Sequence, residues 1–128
     1  MTSKMKLGLI GAGGIAQTYA QSLADSATAE VIGVADVRPE AAQALGERLG
    51  CRVFDSFESL IDESGCAGAI VCTPPSTHPE ICCALLQRGI HVLCEKPLTP
   101  SAVDFLRVIE ARDRAGKQIS MTLSLIHI

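Results

Sequence analysis

Three short stretches hold residue types whose spacing suits chemistry. The first, "LIGAGGIAQTYA", contains Gly11-Ala12-Gly13-Gly14-Ile15-Ala16, a G-x-G-x-x-A pattern. Such a pattern cradles a pyrophosphate. Gly11 permits a tight turn out of a strand, Gly13 brings the backbone up to a phosphate with no Cβ in the way, and Ala16 keeps the next helix close to its sheet. A helix that begins near Gly14 aims unpaired N–H groups and its positive dipole end at the same place. Downstream, "VIGVAD" ends on Asp36, where a carboxylate takes ribose hydroxyls, although somewhat beyond the usual interval of about 20 residues. A ligand-free glycine turn is the bland alternative, and S-adenosylmethionine enzymes use a similar turn and acid.

The second stretch, "CTPPSTHPE", offers Thr73, Pro74 and His78. The third, "HVLCEKPL", sets Glu95 and Lys96 at the end of an apolar run. By composition alone Lys96 reads as a solvated charge, and His78 as a helix-end histidine without a ligand. Their position changes the weighting, because both follow strands that end on the edge carrying the glycine turn.

The elements that must position these residues alternate along the chain. Apolar strands are expected at 6–11, 29–36, 52–54, 67–73, 90–95 and 118–122, with helices at 14–26, 39–50, 56–64, 76–89 and 101–117. In the first helix Ile15, Tyr19 and Leu23 recur at helical spacing. In the second, Pro39 suits the first turn, Ala42, Leu45 and Leu49 form the apolar stripe, and Gly50 stops it. Ser56 and Ser59 make no capping box, which leaves the start of the third helix soft. Leu106 and Ile109 are expected to face inward from the last helix. Short strands alternating with helices mean βαβ units, so the fold class is α/β, a doubly wound, mostly parallel sheet.

Bulk properties agree with one such domain. The chain has 128 residues, 48% of them hydrophobic, and a formal net charge of −3. That size supports one core. The charge and the lack of a basic stripe argue against nucleic acid as a partner. No apolar run approaches the roughly 20 residues of a membrane span, and the glycines from position 8 onward break up any signal-peptide reading of the N-terminus. The six cysteines form no C-x-x-C pair. They read as small buried hydrophobes in a reducing cytoplasm, with a disulfide framework or metal site as the minor alternative.

Taken together and in order, "GLIGAGGIA", "VADVRPE", "CTPPSTH" and "CEKPL" resemble the N-terminal domain of the glucose–fructose oxidoreductase / inositol dehydrogenase (Gfo/Idh/MocA) family. The resemblance runs from residue 5 to about 122. It implies a Rossmann domain that binds NAD, with NADP as the alternative, in an oxidoreductase acting on a sugar, cyclitol or related polyol. By the same resemblance Gly11, Gly13, Gly14, Ile15 and Ala16 would hold the pyrophosphate. Asp36 would take the adenosine ribose and Arg38 would lie beside the adenine. Thr73, Pro74 and His78 would border the nicotinamide half, Glu95 its ribose, and Lys96 would reach the reacting oxygen of the substrate. The catalytic base is expected in a second domain, as is most of a homo-oligomer interface. A non-enzymatic dinucleotide sensor of the same family is the competing reading.

Relatives of this kind continue for about 200 further residues, an ordinary domain size. Residues 1–122 are therefore expected to form the dinucleotide-binding domain of a longer cytoplasmic protein, inactive by themselves. The last six residues, "LSLIHI", do not match the family at this place and read as translated sequencing adapter, so His127 is set aside as a catalytic candidate.

Overall fold

The computed structural model describes residues 4–96, 101–117 and 119–121. The elements are β1 (Met5–Ile10), α1 (Gly14–Leu23), β2 (Ala29–Ala35), α2 (Pro39–Leu49), β3 (Arg52–Phe54), α3 (Phe57–Glu63), β4 (Gly68–Val71), a 3-10 turn (Pro75–Thr77), α4 (His78–Gln87), β5 (His91–Cys94), α5 (Ala102–Ala115) and β6 (Ile119–Met121). All strand pairs are parallel, and the six-stranded order is β3-β2-β1-β4-β5-β6. This is the doubly wound arrangement expected from the alternation, with its reversal between β1 and β4. The final six residues lie outside the described residues.

The period-2 alternation of strand side chains divides the core into two layers. Leu9, Val34 and Ile70 point to the face covered by α1 and α2, where they meet Ala16, Ala20, Ala42 and Leu45. Ile10, Ala69, Val71, Val92 and Cys94 point to the other face, against Leu60, Ile81, Leu85, Leu86 and Val108 of α3, α4 and α5. Helix ends follow local chemistry. Pro39 occupies the first turn of α2, and Gly50 closes that helix in the left-handed region at φ 67°. The soft boundary of α3 is a true cap, since the Ser59 N–H donates to Ser56 Oγ at 3.1 Å.

Two helices sit differently from their sequence pattern. In α1 the buried residues are Ala16 and Ala20, whereas Ile15 is 43% exposed. The helix leaves the glycine turn so close to the sheet that alanines fill the space beneath it, while Tyr19 and Leu23 of the bulky stripe pack half-buried against the same cluster and Ile15 turns outward. In α5 the inward residue is Val108, while Leu106 is 60% exposed and Ile109 only half-buried. This helix packs chiefly on α4, so a narrower stripe is covered than its sequence offers. All six cysteines are free. Cys66, Cys82, Cys83 and Cys94 are buried, and Cys51 and Cys72 are half-buried. Among the described residues, no helix is long and apolar enough to cross a membrane.

Gly11 is fixed by two constraints. Its φ is +102°, and a Cβ there would lie 2.8 Å from both the carbonyl carbon and oxygen of Cys72. Neither backbone atom can move without breaking the end of β4. Gly14, by contrast, has nothing within 4 Å of its Cβ position. Gly11→Ala is therefore expected to destabilise the domain by about 2–3 kcal/mol, and Gly14→Ala to leave stability equal or up to about 1 kcal/mol higher. Urea unfolding midpoints of the two variants check this; equal midpoints would contradict it.

Candidate functional site: a crevice at the carboxyl edge of the sheet

The register aligns the site. Ala35, Ile10, Val71 and Cys94 form one rank across β2, β1, β4 and β5. The next residue on each chain is Asp36, Gly11, Cys72 and Glu95, so these four leave the sheet side by side. Three inter-strand steps separate the outer two, about 14 Å. The ladder continues one step further: the Gly11 N–H donates to Ala35 O at 2.8 Å, Cys72 N–H to Ile10 O at 2.8 Å, and Glu95 N–H to Val71 O at 3.0 Å. A doubly wound sheet opens its ligand crevice where the strand order reverses. Here a cleft of about 700 Å³ opens at that point, lined by Gly11, Gly13, Asp36, Arg38, Thr73 and Pro74 among others. The start of α3, including Ser56 and Phe57, forms part of its wall.

Asp36 closes one end of this cleft, and its carboxylate has a structural task. Oδ2 accepts the Ala12 N–H at 2.6 Å, which ties the glycine turn to the end of β2. Oδ1 accepts the Arg38 N–H at 2.7 Å and Arg38 Nε–H at 3.3 Å. The Asp36 side chain is 7% exposed and that of Arg38 is 57% exposed. Burial, the largest single influence, pushes the Asp36 carboxyl up. The N–H groups of Arg38 and Ala12 and the guanidinium charge together outweigh it, so the group lies below its ordinary 3.8. A carboxyl lowered by folding stabilises the folded state above its unfolded value, and that contribution is lost as pH falls through the lower folded value. The wild-type chain is therefore expected to lose more stability than Asp36→Asn as pH falls from about 4 downward. Urea midpoints at pH 7 and pH 3 check this; parallel losses in both proteins would contradict it.

Gly13 and α1 supply the next part of the cleft. No side chain caps the N-terminus of α1, and its first turn carries no acid. The Cβ position of Gly13 meets only Arg38 Nη2, at 3.7 Å. The backbone there is open to the cleft, with helix N–H groups behind it, a concavity suited to an anion such as a phosphate. Gly14 and Ile15 form the exposed shoulder of that turn and Ala16 lies fully buried beneath it.

The β4 side is braced from within. His78 is fully buried and its Nε2 donates to the Thr73 carbonyl at 2.8 Å. It holds the loop from behind and does not line the cleft. Thr77 Oγ1 lies 2.7 Å from Thr73 Oγ1 and 2.6 Å from the Pro74 carbonyl. Thr73 and Pro74 face the cleft on this scaffold. The sequence carried a signal for the burial of His78. It shares the i, i+4, i+7, i+8 stripe of α4 with Cys82, Leu85 and Leu86. Beside the loop, burial and the nearby Glu95 charge push the Cys72 thiol up to about 12, so it behaves as an inert small hydrophobe.

Glu95 and Lys96 end β5 on the other side of β4 from the glycine turn. Lys96 is exposed and Glu95 half-buried. Glu95 accepts the Tyr19 hydroxyl of α1 at 2.6 Å, a contact that spacing alone did not reveal. Strand alternation explains it: Glu95 is two residues past Leu93, which packs on the α1 side of the sheet together with Tyr19 and Cys72.

Edge order, open glycine turn, clamped acid and cleft volume define a dinucleotide-binding domain of the Rossmann class. The chain belongs to the Gfo/Idh/MocA oxidoreductase family: the model described as "Oxidoreductase family, NAD-binding Rossmann fold" matches residues 5–123. Glucose-6-phosphate 3-dehydrogenase of Bacillus subtilis is 35% identical over 116 residues, covering 91% of this chain and 33% of that protein. Inositol 2-dehydrogenase 4 of Saccharopolyspora erythraea is 34% identical over 118 residues, covering 91% and 35%. The WlbA dehydrogenase of Bordetella pertussis, solved in complex with NADH and UDP-GlcNAcA, superposes with a TM-score of 0.90 at 29% identity, covering 93% of this chain and 35% of that one. The chain thus spans about a third of the length of the relatives it matches.

Proposed function

We propose that this chain is the cofactor-binding part of an NAD-dependent oxidoreductase acting on a sugar, cyclitol or related polyol. The observation that carries this reading is the open glycine turn bound to Asp36 at the point where the sheet reverses. Gly11, Gly13 and the first turn of α1, with Gly14, Ile15 and Ala16, would hold a pyrophosphate. Asp36 would take the adenosine ribose hydroxyls, with Arg38 at the adenine rim. Thr73 and Pro74 would border the nicotinamide half, kept in place by His78. Glu95 would lie by the nicotinamide ribose. A bound nicotinamide supplies the hydride acceptor or donor. Lys96 would orient the substrate oxygen and stabilise the charge that develops on it. Relatives named for inositol and glucose 6-phosphate support the polyol class.

The assay is NAD reduction with myo-inositol, glucose 6-phosphate and related polyols. The full-length protein is expected to reduce NAD with at least one of them, and the 128 residues alone with none. Failure of the full-length protein across the panel would remove the polyol reading. Turnover by the chain alone would overturn the division of labour.

A further inference from the structure

We infer that Tyr19 is a positioning residue for the nicotinamide end of the site, acting through Glu95. The inference rests on the dinucleotide reading above. Tyr19 lies in α1, the helix whose N-terminus faces the phosphate position, and Glu95 lies at the carboxyl end of β5, 76 residues away in sequence. Their 2.6 Å contact falls in the range of charge-assisted O–H···O⁻ bonds, about 2.5–2.7 Å and roughly twice as strong as neutral ones. It ties the helix that would bind the pyrophosphate to the strand end that carries Lys96.

The backbone limits what else can hold Glu95. Its N–H is committed to Val71 O at 3.0 Å, and its carbonyl accepts a weak bond from Cys94 Sγ at 3.4 Å. These fix the main chain and leave the side-chain torsions free. The Tyr19 hydroxyl sets them by engaging Oε1. A carboxylate has about four acceptor sites, and one oxygen held by a phenol leaves the other available to a diol. Tyr19 itself is half-buried on the α1 face, packed against the same buried cluster as Cys72 and Leu93, so its ring is held by the core while its hydroxyl reaches the edge. It therefore orders Glu95 before a ligand arrives, and a pre-ordered acceptor loses less freedom on binding.

Calorimetric titration of the 128-residue chain with NADH and with ADP, which lacks both the nicotinamide and its ribose, separates this role from a structural one. Tyr19→Phe keeps the ring and deletes the hydroxyl. It is expected to weaken NADH about tenfold and to leave ADP unchanged. Glu95→Ala is expected to weaken NADH at least as much. The double variant should be no weaker than Glu95→Ala alone, since the inferred effect of Tyr19 on the ligand runs through that carboxylate. Equal losses for both ligands would show a merely structural tyrosine and overturn the inference. Unchanged NADH affinity, or additive losses in the double variant, would overturn it too. Wild-type chain that binds neither ligand would instead overturn the dinucleotide reading, and this inference with it.

Discussion

Lys96→Ala in the full-length protein is expected to lower turnover by roughly 100- to 1000-fold, the size of one positioned electrostatic group, and to leave NADH affinity nearly unchanged. The expectation follows from place. Lys96 comes two residues after β5 and is exposed at the edge, two strands away from the glycine turn on β1. The phosphates would lie over β1, so an ammonium beyond β5 would face the chemistry and not the pyrophosphate. Steady-state kinetics with a separate measurement of NADH dissociation check it. Equal losses in turnover and cofactor affinity would make Lys96 a binding residue, and no loss at all would return it to a solvated charge.

The second large effect is cofactor choice. The chain is expected to bind NADH about 10- to 100-fold more tightly than NADPH. A hydrogen bond to a charged group contributes about 1.5–3 kcal/mol, and each 1.4 kcal/mol is about tenfold in affinity. The 2′-phosphate of NADPH would replace such a bond with like-charge repulsion against Asp36. Arg38 is the residue that opposes this, because a guanidinium suits a phosphate. The geometry favours Asp36 in this ranking. Asp36 is held by the Ala12 N–H and by the Arg38 backbone N–H, and the Arg38 guanidinium is engaged by the same carboxylate. A 2′-phosphate would have to compete with that carboxylate for the guanidinium. Asp36→Ser should narrow the difference by weakening NADH. Dissociation constants for both cofactors at equal ionic strength decide it; equal affinities or tighter NADPH would reverse the ranking of the two residues.

Much of this was legible in the residues themselves. Alternation of short apolar runs with helical stretches gave six strands and five helices whose observed ends differ from the expected ones mostly by one or two residues, because glycine, proline and serine mark most boundaries. Gly11 carries its own reason in the sequence, yet its contact with the Cys72 carbonyl appears only when β1 and β4 are paired. What stayed hidden was of one kind. The Ala12–Asp36 and Tyr19–Glu95 bonds join residues 24 and 76 apart, and each depends on strand register and helix rotation together. In α1 the alanines were overlooked because bulky residues dominate a periodicity pattern: Tyr19 and Leu23 do pack on the core, but the close approach at the glycine turn buries Ala16 and Ala20 and leaves Ile15 exposed. The inward face of α5 was misread for the opposite reason: the helix has more apolar residues than its one main neighbour covers. His78 was read as a crevice residue from its place after β4, although its stripe partners in α4 already pointed to the core.

The most direct measurement is a titration of NADH into the 128-residue chain, followed by nicotinamide fluorescence, alongside Gly13→Val. The Gly13 Cβ position is open apart from the end of Arg38, so the variant should fold and fill only the space that a phosphate would take. Saturable one-site binding to the wild-type chain, displaced by ADP-ribose and largely lost in Gly13→Val, is the expected result. Absence of saturable binding, or equal binding by the folded variant, would contradict the assignment of this crevice to a dinucleotide.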